Sequence, residues 1–204
     1  MTAAQFELVV DVDGELIADV EEGYTVHGLL RKGTTVADAY REFIFSALHM
    51  APRAASSQLG TTPKLRESIV HIIDIAKEMG AHVTVRTRNP TRDCAAVDAA
   101  LARAGHPDVR CQRVYRNIDK VLEPVNGNKV SMLLEDDPAV ALDVARAEVV
   151  TVLEVQSYGR IKSKIYSRLN RFITMVRTPQ QAKEEVVEAI KAHYGYGKRS
   201  RSFA

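Results

Sequence analysis

Apolar positions along the chain follow two rhythms, short unbroken runs and longer stretches recurring at three and four, and these predict strands and helices in turn. The run Phe6-Glu7-Leu8-Val9-Val10 is bounded by Asp11-Val12-Asp13-Gly14 and reads as a buried strand ending in a turn. From Thr35, the positions Val36, Ala39, Tyr40, Phe43, Ile44 and Ala47 mark a helix that Thr35 and Asp38 cap and that stops before Pro52. The Ala-, Ser- and Gly-rich stretch from Ala51 to Thr61 reads as a return connection. Thr62 then predicts a cap, Pro63 a first helical position and Gly80 a stop. Between them Leu65, Ile69, Ile72, Ile73, Ala76 and Met79 share one helical face.

The alternation continues with a strand at Val83–Thr87, a helix from Arg92 to Ala104 and a strand at Val109–Val114. A short helix near Asn117–Leu122, a strand at Val130–Leu134, a helix at Pro138–Ala147 and a strand at Val149–Val155 follow. Two C-terminal helices are predicted, Arg160–Arg177 and one that Thr178-Pro179 starts, before a Gly-Lys-Arg-Ser tail at 197–202. Strands separated by helices this regularly pair in parallel through right-handed crossovers. The predicted fold class is α/β, a doubly wound, Rossmann-like parallel sheet with a small helical insertion and two C-terminal helices. Residues 1–159 form the core and 160–204 a basic helical extension.

Composition fits one soluble globular domain: 204 residues, 46% hydrophobic and 26% charged. No window approaches 18 consecutive apolar residues, and Glu7, Asp11, Asp13, Glu15 and Asp19 occupy the first 20 positions, so neither a membrane span nor a signal peptide is expected. A cytoplasmic location is the expectation, with Cys94 and Cys111 as reduced packing residues because they lack CxxC or metal-ligand spacing. The six histidines, 27, 49, 71, 82, 106 and 193, also lack metal spacing. Charge is uneven: residues 160–204 hold 11 of the 28 Lys and Arg but only 3 of the 26 Asp and Glu, a local +8 against −6 for 1–159.

In a doubly wound sheet, ligands bind beyond the carboxyl ends of the strands. Those ends carry Asp11 and Asp13, then Thr87, then Glu135, Asp136 and Asp137. Carboxylates crowded on one rim repel one another unless a cation neutralises them. An all-oxygen set without His or Cys suits Mg²⁺, which keeps several waters and accepts a phosphate oxygen. A carboxylate beside such a metal can attack phosphorus, and a second can protonate the leaving oxygen and then activate water.

These residues, with Lys120 between the second and fourth predicted strands, resemble the four motifs of haloacid dehalogenase-like phosphatases, in order, over roughly residues 6–158. The resemblance implies Asp11 as nucleophile and Asp13 as general acid and base, with Thr87 and Lys120 holding the phosphoryl oxygens. It also implies a Mg²⁺ site from Asp11, Asp13 through its backbone carbonyl, Asp136 and Asp137. Lys129 is a second, weaker candidate for the lysine. The segment 26–60 falls where the family inserts its cap. Glu15 departs from the family, which usually has Thr or Val there.

Several features carry two readings. Arg88 and Arg92 either cap the turn after Thr87 or bind the substrate phosphate. Tyr24, Tyr40, Phe43 and Phe45 line a substrate pocket or build the cap's own core. The stripe Arg160, Lys164, Arg168 and Arg171 is a solvated helix flank or a surface for a nucleic-acid backbone. The expected activity is Mg²⁺-dependent phosphomonoester hydrolysis on a phosphorylated metabolite or nucleotide; the alternatives are a nucleic-acid end-processing phosphatase and a binding module without catalysis.

Overall fold

The computed structural model describes residues 5–17, 63–89, 92–124, 127–154 and 171–195. Six strands form one sheet: β1 (Glu7–Asp11), β2 (His82–Thr87), β3 (Cys111–Arg113), β4 (Met132–Glu135), β5 (Val150–Glu154) and β6 (Ile173–Val176). Their order is β3-β2-β1-β4-β5-β6 and every pairing is parallel. Among the described residues five helices connect or follow them: α1 (Glu67–Glu78), α2 (Cys94–Arg103), α3 (Asp119–Leu122), α4 (Pro138–Ala145) and α5 (Pro179–Tyr194). This is the doubly wound parallel sheet that the alternating pattern predicts.

Central β1 is buried along its whole length, which is why it reads as an unbroken apolar run rather than an alternating one. Leu8 and Val10 pack with Ile69, Ile72 and Ile73 of α1 and with Ala182, Val186 and Ile190 of α5. Val9, pointing the opposite way, packs with Val121 of α3, Leu133 of β4 and Val140 and Val144 of α4. Two apolar layers on either side of the sheet thus fix which face each strand-end side chain adopts.

Three expectations are corrected. The helix predicted from Thr62 starts at Glu67, because Leu65 forms an antiparallel bridge with Ile17 and the Arg66 amide donates to Leu16 O at 2.8 Å. The limbs entering and leaving 18–62 are paired at their base, so the return limb is extended where a cap had been expected. Gly80 does end this region in the left-handed conformation, at φ +87°.

Within the helix predicted over Arg160–Arg177, the described residues form strand β6 at Ile173–Val176, the edge of the main sheet. The following helix starts as read, with Thr178 Oγ1 accepting from the Gln181 amide at 3.2 Å and Pro179 at its first position. Tyr194 fastens its end to the body, donating to Gly80 O at 2.9 Å and accepting from the Phe6 amide at 3.1 Å. The described part of 160–204 therefore belongs to the same sheet and core as the rest.

Cys94 and Cys111 are joined as a disulfide rather than free. The chain brings the first residue of α2 beside the first of β3, with Cα atoms 5.2 Å apart, within the range a disulfide spans. Among the described residues, no helix is long and apolar enough to cross a membrane. The proposed cap at 26–60 lies outside the described residues, as do Tyr24, Tyr40, Phe43 and Phe45, and Arg160, Lys164, Arg168 and the tail.

Candidate active site

The strand order reverses between β1 and β4, and the side chains singled out at the strand ends gather there. Asp11 is the last residue of β1 and Glu135 the last of β4. Period-two alternation puts Asp11 on the face of Val9 and Glu135 on that of Leu133, the face α3 covers. From α3, Lys120 reaches both: its Nζ donates to Asp11 Oδ1 at 2.6 Å and to Glu135 Oε2 at 2.7 Å, with all three side chains buried.

One ammonium thus serves two buried carboxylates. Burial and Glu135 push the Asp11 carboxyl well above its ordinary range, and Lys120 offsets this only in part. Burial works against the Lys120 ammonium but is outweighed by Asp11 and Glu135, so it holds its proton more tightly than a solvated lysine. Arg86, fully buried on β2, donates to the carbonyls of Lys120 at 2.8 Å and Asp119 at 3.4 Å and to Gln112 Oε1 at 3.0 Å, fixing the backbone from which Lys120 projects.

Asp13 follows in the turn. Its Oδ2 accepts from Thr87 Oγ1 at 2.5 Å, and its Oδ1 from Arg92 Nε at 2.7 Å and from Arg92 Nη2. The Asn89 amide donates to Thr87 Oγ1 at 2.9 Å, and Arg113 Nη2 to Arg92 O at 2.6 Å. Arg92 is therefore within the site, against Asp13, whereas Arg88 is exposed beside it.

Gly14 has φ +96°, and a Cβ built on it would collide with the Asp136 carboxylate. Only glycine permits this approach of the turn to Asp136. Glu135 Oε1 accepts from the amides of Asp136 at 3.2 Å and Asp137 at 3.1 Å, shaping the loop after β4, and Asp137 itself is exposed.

Glu15 is fully buried, and neither of its carboxylate oxygens has a hydrogen-bond partner among the described residues. Burial, then Glu154 and Asp136, push its carboxyl well above the usual range against the pull of Arg66. Arg66 lies 3.5 Å from Glu15 Oε2 and 3.0 Å from Glu154 Oε1.

Among the described residues, Asp11, Glu135 and Asp136 present oxygens that all lie within 4.8 Å of one another, a donor set that fits a hard divalent cation. The sequence expectation named Asp11 and Asp136 together with Asp13 and Asp137. The expected contribution of Asp13 is its backbone carbonyl; its carboxylate is engaged by Thr87 and Arg92, and Glu135 lies beside Asp11 and Asp136. Arg66, Arg86 and Glu154 are not among the candidates the sequence offers, and Glu135 is there only as one of the strand-end carboxylates. Arg86 carried a signal, a charged residue inside the apolar strand Val83–Thr87; Glu135 had only its position before two aspartates.

The described histidines sit elsewhere. His82 Nδ1 is 2.8 Å from Glu7 Oε2, His106 Nε2 is 3.2 Å from Asp74, and His193 packs edge-on against Phe6 and Tyr194. Of the basic stripe only Arg171 is described, exposed, 4.0 Å from Glu148 and stacked over Phe172.

No protein-family model matches the sequence, and no curated protein does. Solved structures do. A HAD hydrolase of family IA, variant 3, from Entamoeba histolytica aligns with a TM-score of 0.61 at 13% identity, over 92% of this chain and 100% of its own. Cytosolic 5′-nucleotidase IIIB bound to cytidine aligns at 0.54 and 10% identity, over 94% and 87%. A HAD-superfamily hydrolase from Ehrlichia chaffeensis aligns at 0.50 and 9% identity, over 93% and 100%. The chain has the fold of the haloacid dehalogenase superfamily hydrolases.

Proposed function

We propose that the protein is a Mg²⁺-dependent phosphomonoester hydrolase that passes the phosphoryl group of a small phosphorylated substrate through Asp11. The observation that carries this reading is Lys120 joining Asp11 and Glu135 at the strand-order reversal, with Asp136 alongside. Lys120 takes Asp11 Oδ1, so attack on phosphorus falls to Oδ2. The bond formed is Oδ2–P, and the bond broken is that between phosphorus and the ester oxygen, which leaves with a proton from Asp13. Asp13 then takes a proton from water as it attacks the aspartyl-phosphate, releasing phosphate and restoring Asp11. Thr87 Oγ1 and the Lys120 ammonium hold the phosphoryl oxygens. A dianionic phosphoryl group competes with Asp13 for Arg92, freeing Asp13 to carry its proton.

Asp11 and Asp136, with Glu135 beside them and the Asp13 carbonyl on the adjoining turn, would hold Mg²⁺, which supplies charge neutralisation between nucleophile and phosphoryl group. Asp137 remains a proposed additional ligand, and Arg88 a proposed contact to the substrate phosphate. The 5′-nucleotidase likeness supports including nucleoside monophosphates among the substrates. No described contact favours the nucleic-acid reading of Arg160, Lys164, Arg168 and Arg171. The test is hydrolysis of p-nitrophenyl phosphate and of a panel of phosphorylated metabolites and nucleotides. Activity is expected to need Mg²⁺ and to vanish in Asp11→Asn; equal turnover by Asp11→Asn and the parent chain would overturn the reading.

A further inference from the structure

The base of the segment 18–62 is tied to the candidate site by one side chain. Arg66 lies on the limb returning from that segment, paired to the outgoing limb through its own amide on Leu16 O and through the Leu65–Ile17 bridge. Its side chain turns back into the body. Nη1 donates to Gly14 O at 2.9 Å and Glu15 O at 3.3 Å and lies 3.5 Å from Glu15 Oε2, while Nη2 donates to Glu154 Oε1 at 3.0 Å. Glu15 and Glu154 are 0% and 3% exposed, and among the described residues three of their four carboxylate oxygens have no hydrogen-bond partner. Two nearly sealed carboxylates are therefore committed to one guanidinium, and burial of that kind is sustained only while the cation stays in place.

What the guanidinium holds is the turn of Gly14 and Glu15. Gly14 packs so closely on the Asp136 carboxylate that a methyl group would not fit, and Asp13 precedes it. The position of this turn and that of Asp136 are mutually determined. We infer that Arg66 is a positioning residue for the cation site: held by Glu15 and Glu154, it grips the turn against Asp136 and couples the limbs of 18–62 to that geometry. Arg66 touches none of the three clustered oxygen donors, so its effect runs through the turn. The inference rests on Asp136 belonging to a cation site, as the proposed function requires.

The experiment titrates Mn²⁺, followed by its electron spin resonance signal, into the metal-free full chain, and measures p-nitrophenyl phosphate turnover in parallel. Arg66→Lys keeps the charge but loses the fork that spans Gly14 O and Glu154. It is expected to weaken Mn²⁺ binding roughly 10-fold or more, to lower kcat with KM nearly unchanged, and to speed hydrogen exchange at the Gly14 and Leu16 amides several-fold. Glu154→Gln keeps the shape and removes one anchor, with a smaller effect in the same direction; it decides the matter where Arg66→Lys does not fold by circular dichroism. Parental Mn²⁺ affinity in the folded variants would overturn the inference while leaving the phosphatase reading standing. Mn²⁺ binding that weakens as expected in a chain that hydrolyses no ester would uphold the inference and overturn that reading. A parent chain that binds no Mn²⁺ would overturn the inference with its site.

Discussion

Lys120 Nζ and Asp11 Oδ1 are 2.6 Å apart across 109 positions of sequence, and the same ammonium holds Glu135 at 2.7 Å. The contact exists because α3 covers the sheet face on which β1 and β4 both end in a carboxylate.

Removing the ammonium leaves two carboxylates buried without a counter-charge. Lys120→Met is therefore expected to destabilise the metal-free protein by about 3–5 kcal/mol, the usual range for breaking a buried pair from one side. Denaturant unfolding followed by circular dichroism measures it, and a loss under 1 kcal/mol would contradict the shared-ammonium account.

Removing one carboxylate acts in the opposite direction. Asp11→Asn keeps the shape and leaves one ammonium with one carboxylate, relieving the repulsion from Glu135 that helps hold the Asp11 carboxyl high. In excess chelator its Tm should rise, by roughly 2–4 °C for each kcal/mol relieved in a chain of this size. A variant with a lower Tm than the parent would show Asp11 to be favourably paired in the metal-free state.

Glu15 gives a pH dependence with a definite sign. Its folded-state carboxyl is raised, first by burial and then by Glu154 and Asp136. A group raised on folding contributes stability that is full below its unfolded value, about 4.3 for glutamate, and is lost as pH climbs through the raised folded value. Glu15→Gln mimics the protonated form at every pH. Its stability advantage over the parent should therefore grow as pH rises from about 4, measured by denaturant unfolding of metal-free protein at several pH values. An advantage that is constant or shrinks with pH would contradict the assignment.

Gly14 carries two separable constraints, a left-handed backbone and the contact with Asp136. Gly14→Ala should cost roughly 1 kcal/mol or more from the backbone alone, with a further loss from the collision. Adding Asp136→Ala to the same chain should recover the second part and not the first. Unfolding free energies of the two single variants and the double variant measure both, and strict additivity of the two changes would deny the contact.

Much of this arrangement is legible in the sequence, for identifiable reasons. Strand β1 is buried on both faces, so its apolar run stands out, and the Asp11 to Gly14 turn that ends it marks the site rim. Thr87 and Asp136 are found the same way. Lys120 needed a resemblance, since nothing local says that a four-residue helix will cover Asp11. Glu135 is legible only as one of the strand-end carboxylates and Arg86 not as a site residue at all, because their contacts depend on which sheet face they share with Asp11, a property of the pairing register. Strand β6 was hidden because Ile173 and Val176 extend the helical spacing of Ile165, Leu169 and Phe172, while the four residues Ile-Thr-Met-Val suit an edge strand equally well. The Cys94–Cys111 link spans 17 positions and exists only because β3 returns beside the start of α2.

The central claim is that phosphorus is transferred to Asp11, and it is tested most directly by acid-quenching the protein during turnover of p-nitrophenyl phosphate with Mg²⁺ and locating bound phosphate by peptide mass spectrometry. Asp13→Asn, which removes the base that activates water, should make the intermediate accumulate. The account predicts an acyl phosphate on the peptide containing Asp11, absent from Asp11→Asn. Turnover with no phosphorylated peptide in Asp13→Asn, and an Asp11→Asn variant as active as the parent, would contradict it.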